Sequence, residues 1–114
     1  MKLSEVKEIL NAEVLVGDED LGREVSGGAA SDLMSDLLKN PMENALLLTG
    51  LTSIQAIKTS LIAGMAAIVF VRGKKPEREV IRYAREQGVP ILTTNFNMYS
   101  SCGRLFHGGL KSIR

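Results

Sequence analysis

Ala45-Leu46-Leu47-Leu48-Thr49, Ala66-Ala67-Ile68-Val69-Phe70-Val71 and Val89-Pro90-Ile91-Leu92-Thr93 are three apolar runs of strand length. Each is followed by a turn and then by a helical pattern. An apolar run without polar alternation belongs inside a parallel sheet covered on both faces. After the first run, Gly50-Leu51 turns the chain, and Thr52 and Gln55 have the T-x-x-Q spacing of a capping box. Ile54, Ile57 and Leu61 form the stripe predicted to be buried, and Gly64 ends that helix. After the second run, Arg72-Gly73-Lys74-Lys75 forms a loop and Pro76 suits a first helical turn. Val80, Ile81 and Ala84 face inward, and Gly88 is the C-cap. Beyond the third run a last helix is expected over about residues 96–106, broken by Gly108-Gly109, with a fraying tail. Residues 45–107 therefore alternate strand and helix three times, which implies right-handed crossovers and a parallel sheet.

Working outward to the amino terminus, Leu3, Val6, Ile9 and Leu10 share one face of a helix spanning Ser4 to Leu10, with Ser4 as its N-cap. Ala12 to Val16 reads as a short strand with Val14 and Val16 on one side, and Gly17-Asp18-Glu19-Asp20 as an acidic turn. Leu21 to Ala30 has no clear pattern: Val25 favours a strand, whereas Gly27-Gly28 weakens any regular element. Ser31 or Asp32 then caps a helix carrying Leu33, Met34, Leu37 and Leu38, which Pro41 stops. Met34, Met42, Met65 and Met98 read as core or interface filling. No linker, internal repeat or low-complexity segment interrupts the chain. The expectation is one α/β domain over residues 1–114, a mostly parallel sheet of about four to five strands flanked by helices. The strand order of the first 40 residues stays open.

Hydrophobic residues make up 45% of the chain and charged residues 24%, so it is globular rather than disordered. Its single cysteine, Cys102, permits no internal disulfide, which fits a reducing compartment. No apolar run approaches membrane-spanning length, and the first eight residues mix charge with apolar side chains, unlike a secretion signal. The expected location is the cytoplasm. Net charge is +1, yet residues 1–57 hold four Lys/Arg against ten Asp/Glu, net −6, and residues 58–114 ten against three, net +7. Such polarity suits a self-complementary dimer or a basic anion site, and equally suits faces that fold back on each other. With 4% aromatics and no dense basic run beyond Arg72–Lys75, neither nucleic acid nor membrane is an expected partner.

Open parallel sheets bind ligands beyond the carboxyl ends of their strands. Three such ends are visible: Thr49-Gly50-Leu51-Thr52, Arg72-Gly73-Lys74-Lys75 and Thr93-Thr94-Asn95. Each feeds a helix N-terminus, where free N–H groups favour an anion. Hydroxyls of Thr49, Thr52, Thr93 and Thr94 suit a sugar or phosphate, and Arg72 suits a bidentate phosphate or carboxylate. The candidate ligand-binding residues are thus Thr49, Gly50, Thr52, Arg72, Gly73, Thr93, Thr94 and Asn95, although the same residue types also serve as ordinary caps and turns. Ser26, Gly27 and Gly28 are a secondary set, where glycine permits close approach of a phosphate or of another backbone. There is no Walker-type G-x-x-x-x-G-K-[ST], no dinucleotide G-x-G-x-x-G and no C-x-x-C. Cys102 and His107 stand five residues apart, with nothing to orient them as a nucleophile pair. No catalytic residue, metal ligand or cofactor is expected.

The strings Ala45–Gly50, Ala67–Gly73 and Val89–Thr94, followed by Asn95-Phe96-Asn97-Met98-Tyr99, resemble DRTGG domains over roughly residues 10–110. The signal is the order and spacing of the strands. The string that names the family is not contiguous here, and Arg23 with Ser26-Gly27-Gly28 echoes it. The resemblance implies a domain similar to the N-terminal domain of HPr kinase/phosphorylase, and to those accompanying phosphotransacetylase-type enzymes and CBS-containing pyrophosphatases. There such domains regulate or dimerise while catalysis lies elsewhere. The function expected is a non-catalytic regulatory module, binding a small anionic metabolite or nucleotide as a homodimer. The alternative is an interaction module docking on a metabolic enzyme, with no ligand of its own. The resemblance suggests a hydrogenase-associated partner for that alternative.

Overall fold

The computed structural model describes residues 1–40 and 42–113. Pro41, the expected helix stop, lies outside the described residues. Eleven elements follow in chain order, of which ten build the layers: α1 (Leu3–Ile9), β1 (Glu13–Val16), β2 (Gly28–Ala30), α2 (Met34–Leu37), β3 (Leu46–Thr49), α3 (Ile54–Ile62), β4 (Ala67–Phe70), α4 (Arg78–Gln87), β5 (Ile91–Thr93) and α5 (Met98–His107). The other is a single 3-10 turn over Asp18–Asp20. The sheet order is β1-β5-β4-β3-β2, with β2 to β5 parallel and β1 antiparallel to β5. It is the mostly parallel five-stranded α/β sheet the pattern predicts.

Since β2 to β5 follow one another across the sheet, right-handed crossovers put α2, α3 and α4 on the same face. Leu37, Ile57, Val80 and Ala84 from these helices join Leu47, Ile68, Phe70 and Ile91 in one core layer. Leu3 and Val6 of α1 and Leu105 of α5 join Leu46, Leu48, Ala67, Val69 and Leu92 in the other. Alternate residues of each central strand serve opposite layers, which is why these strands carry no charged position. Each fully buried Leu, Ile or Phe contributes about 1.5–3 kcal/mol relative to exposure.

Several local expectations are corrected. Ser4 lies inside α1; the cap is Lys2, whose N–H donates to Glu5 Oε1 at 3.1 Å. Val14 and Val16 face opposite layers, because a bulge between them shifts the pairing with β5. Neither Ser31 nor Asp32 caps α2: the N-cap is Leu33, and α2 is a single short turn. The Thr52–Gln55 box does not form, since Ser53 is the N-cap of α3 and Gln55 reaches Thr59. Leu61 is exposed, and Ala56, Ile57, Thr59 and Ser60 form the buried side of that helix. Pro76 precedes the N-cap of α4, Glu77, rather than sitting in its first turn. The tail does not fray through residue 113: Leu110 is buried, Gly28 N–H donates to Lys111 O at 2.8 Å, and Ile113 N–H to Gly28 O at 3.0 Å.

The two oppositely charged halves of the chain interleave in the sheet. The strands of the first half take both sheet edges and the position beside β4, and those of the second half lie between them. Among the described residues, no helix is long and apolar enough to cross a membrane.

Candidate functional site

Parallel pairing of β2 to β5 brings their carboxyl ends to one rim of the sheet. Within β2 to β5 the strand order does not reverse. The rim is a surface built from the turns after β3, β4 and β5.

The threonines of this rim are structural. Thr49, Thr93 and Thr94 are buried. The Thr49 hydroxyl donates to Asp32 Oδ1 at 3.0 Å and accepts from Leu51 N–H at 3.2 Å. Thr93 donates to Lys74 O at 2.7 Å, which ties β5 to the loop after β4. Thr94 donates to Leu10 O at 2.7 Å and accepts from Phe96 N–H, which ties β5 to the end of α1. Thr52 is half-buried and caps nothing. The hydroxyls of Thr49, Thr93 and Thr94 thus hold the loops in place.

Arg72, Gly73, Lys74 and Asn95 remain exposed. Arg72 has φ +61°, a left-handed conformation that costs a side-chain-bearing residue about 1–2 kcal/mol. Two backbone bonds hold it there: Arg72 N–H to Phe96 O at 2.8 Å and Gly73 N–H to Thr94 O at 2.7 Å. The Arg72 guanidinium lies against Gly50, where a Cβ would come within 2.5 Å of Nη2. Gly73, at φ +68°, has Asn95 Oδ1 2.9 Å from where its own Cβ would be. Gly50 and Gly73 thus clear space for Arg72 and Asn95.

The residue missed by sequence reasoning is Asp32, weighed only as a helix cap. Its Oδ1 accepts from Gly50 N–H at 2.7 Å as well as from Thr49. The Gly50 N–H bond holds its carboxyl below the usual range; the Thr49 hydroxyl and the positive charges of Arg72 and Lys74 add to this, against the opposing effect of burial. An Asp just beyond β2 would have been a signal, had β2 been legible.

Ser26, Gly27 and Gly28 lie at the opposite end of the sheet, where Gly28 pairs with Leu46 at the start of β3. Ser26 Oγ donates to Glu43 O at 2.9 Å. A Cβ on Gly27 would lie 3.0 Å from Ile113 Cα and 3.1 Å from Lys111 O, so the close approach that glycine permits here is made by the chain's own tail. Arg23 of the same segment donates to Ala66 O at 3.0 Å.

An open cavity of about 470 Å³ lies between β2 and α5. Tyr99, Cys102, Gly103 and Phe106 form its α5 wall, with Tyr99 89% and Phe106 70% exposed. Helical spacing carries this second stripe on α5, but spacing alone does not say which stripe meets the sheet. Burial raises the Cys102 pKa, which disfavours its reactive thiolate. Among the described residues, no group of three or more His, Cys, Asp or Glu could hold a metal ion.

The family model described as the DRTGG domain matches residues 5–107. The fold is similar to a crystal structure of the CBS and DRTGG domains of the regulatory region of Clostridium perfringens pyrophosphatase, complexed with the activator diadenosine tetraphosphate. Identity is 15% and the TM-score 0.72, over 91% of this chain and 45% of that one. This chain thus spans less than half of that regulatory region. No curated protein sequence matches it.

Proposed function

The chain belongs to the DRTGG domain family, and from that premise we propose that it is a cytoplasmic, non-catalytic regulatory module that binds a small anionic metabolite or nucleotide as a homodimer. The observation that carries this reading is the rim formed by the carboxyl ends of β3, β4 and β5. There the buried threonines are spent on holding the loops, while Arg72, Lys74 and Asn95 stand exposed around Gly50 and Gly73. An exposed arginine whose backbone is held in a strained, left-handed conformation is a feature of ligand clamps. The similar pyrophosphatase region is itself regulatory and was crystallised with an activating nucleotide. That supports the class of function and leaves the site to this chain's own geometry.

Native mass spectrometry with ribonucleotides and acyl phosphates tests both parts. A dimer that retains one of these anions, and loses it in Arg72→Ala and Lys74→Ala, supports the reading. A monomer contradicts the dimer, and a protein that ignores the whole panel contradicts the ligand.

The cavity beside α5 favours a second reading, docking on a metabolic enzyme without a ligand. Tyr99 and Phe106 expose large apolar surfaces to water, as interaction sites do. Under that reading, Phe106→Ser weakens association with the partner enzyme while Arg72→Ala does not.

A further inference from the structure

We infer that Asp32 makes the rim selective for phosphate esters carrying a neighbouring hydroxyl, such as ribonucleotides and sugar phosphates, over bare oxyanions. This rests on the rim being the ligand site. Asp32 Oδ1 is occupied by the Thr49 hydroxyl and Gly50 N–H, whereas Oδ2 has no protein partner among the described residues. An ionised carboxylate only accepts hydrogen bonds, so Oδ2 is an open acceptor in an exposed residue.

Beside it stands the opposite chemistry. Arg72 Nη2 and Asp32 Oδ1 lie 2.5 Å and 3.5 Å from the point a Gly50 Cβ would occupy, so one small ligand reaches both side chains. No ion pair joins them. Arg72 therefore keeps its planar donor fork for a phosphate. An oxyanion that carries no proton, such as sulfate, seated on Arg72 meets the negative charge of Asp32 and gains nothing from it. A sugar phosphate puts its charge on Arg72 and donates a hydroxyl to Asp32. A site that offers a polar group to a ligand hydroxyl discriminates against analogues lacking that hydroxyl, because the group is left unpaired.

The test is titration calorimetry on the full chain with adenosine and guanosine 5′-phosphates, ribose 5-phosphate, sulfate and acetyl phosphate. Wild type is expected to bind at least one ester about tenfold or more tighter than either bare anion. Asp32→Asn keeps an oxygen for Gly50 N–H, and is expected to narrow that ratio by weakening the ester and strengthening the bare anions. Wild-type affinity for sulfate or acetyl phosphate equal to that for every ester overturns the inference, whether or not the variant folds. An unchanged ratio in folded Asp32→Asn also overturns it. In both cases loss of binding in Arg72→Ala leaves the rim site standing. Failure of wild type to bind any probe overturns the rim site and the inference together.

Discussion

Gly50→Ala separates the role of Gly50 in the rim from any role in the fold. The backbone at Gly50 is not in the left-handed region, so alanine is conformationally allowed there. Such a replacement stabilises by about 0.4–1 kcal/mol through the unfolded chain. Against this, the new Cβ would stand 2.5 Å from Arg72 Nη2 and 3.2 Å from Arg72 Cζ. The obstruction is the far end of a long side chain that forms no ion pair, so it moves aside at small cost. The Gly50 N–H bond to Asp32 is kept. Net stability is expected to change by less than about 1 kcal/mol, or roughly 4 °C in melting temperature. Binding is expected to fall much further. Displacing the guanidinium forfeits charge-assisted hydrogen bonds worth about 1.5–3 kcal/mol, a loss of roughly ten- to hundredfold in affinity. Thermal unfolding by circular dichroism and calorimetry on the ribonucleotide that wild type binds best give the two readings. A large drop in melting temperature would mean that Gly50 serves packing. Wild-type affinity in the folded variant would mean that the seat of Arg72 on Gly50 has no part in binding.

Four further outcomes follow from the same geometry. Arg72→Gly relieves the left-handed strain and is expected to raise stability by about 1 kcal/mol in urea unfolding while abolishing anion binding. Thr94→Val leaves Leu10 O without its 2.7 Å partner and is expected to cost about 1–3 kcal/mol in the same assay. Gly27→Ala crowds the backbone of Lys111 and Ile113, and hydrogen exchange at Ile113 is expected to lose its protection. The Asp32 carboxyl is held below its ordinary 3.8 in the fold, so its contribution is full above that value and is lost as pH falls through the folded value. The stability difference between wild type and Asp32→Asn is therefore expected to be flat from about pH 5 to 7 and to shrink below about pH 4.

The central half of the fold was legible because its signals are local and repeated. Each of β3, β4 and β5 is an uninterrupted apolar run, and Gly64 and Gly88 end their helices with left-handed backbone. The first 40 residues were not legible. Strand β2 is three small residues, Gly28-Ala29-Ala30, which become a strand only through pairing with β3 and the tail. The bulge in β1 inverts Val16 relative to a period-two reading, because its register is set by β5. Of the rim, Arg72, Gly73 and Asn95 were readable as exposed loop residues. The partners of Thr49, Thr93 and Thr94 were not readable, since burial sends their hydroxyls to Asp32, Lys74 and Leu10.

The sequence by itself determined the α/β class, the parallel centre and the family, because strand hydrophobicity and helix spacing are properties of contiguous residues. Only the tertiary structure decided that β2 to β5 follow one another across the sheet in one direction. It also decided that the tail covers Gly27 and that Asp32 meets Thr49 and Gly50 across 17 and 18 residues of chain. The physical reason is that hydrogen-bond partners at such separations are chosen by which strands lie side by side, and pairing leaves no mark on the short run Gly28–Ala30 until the sheet has formed.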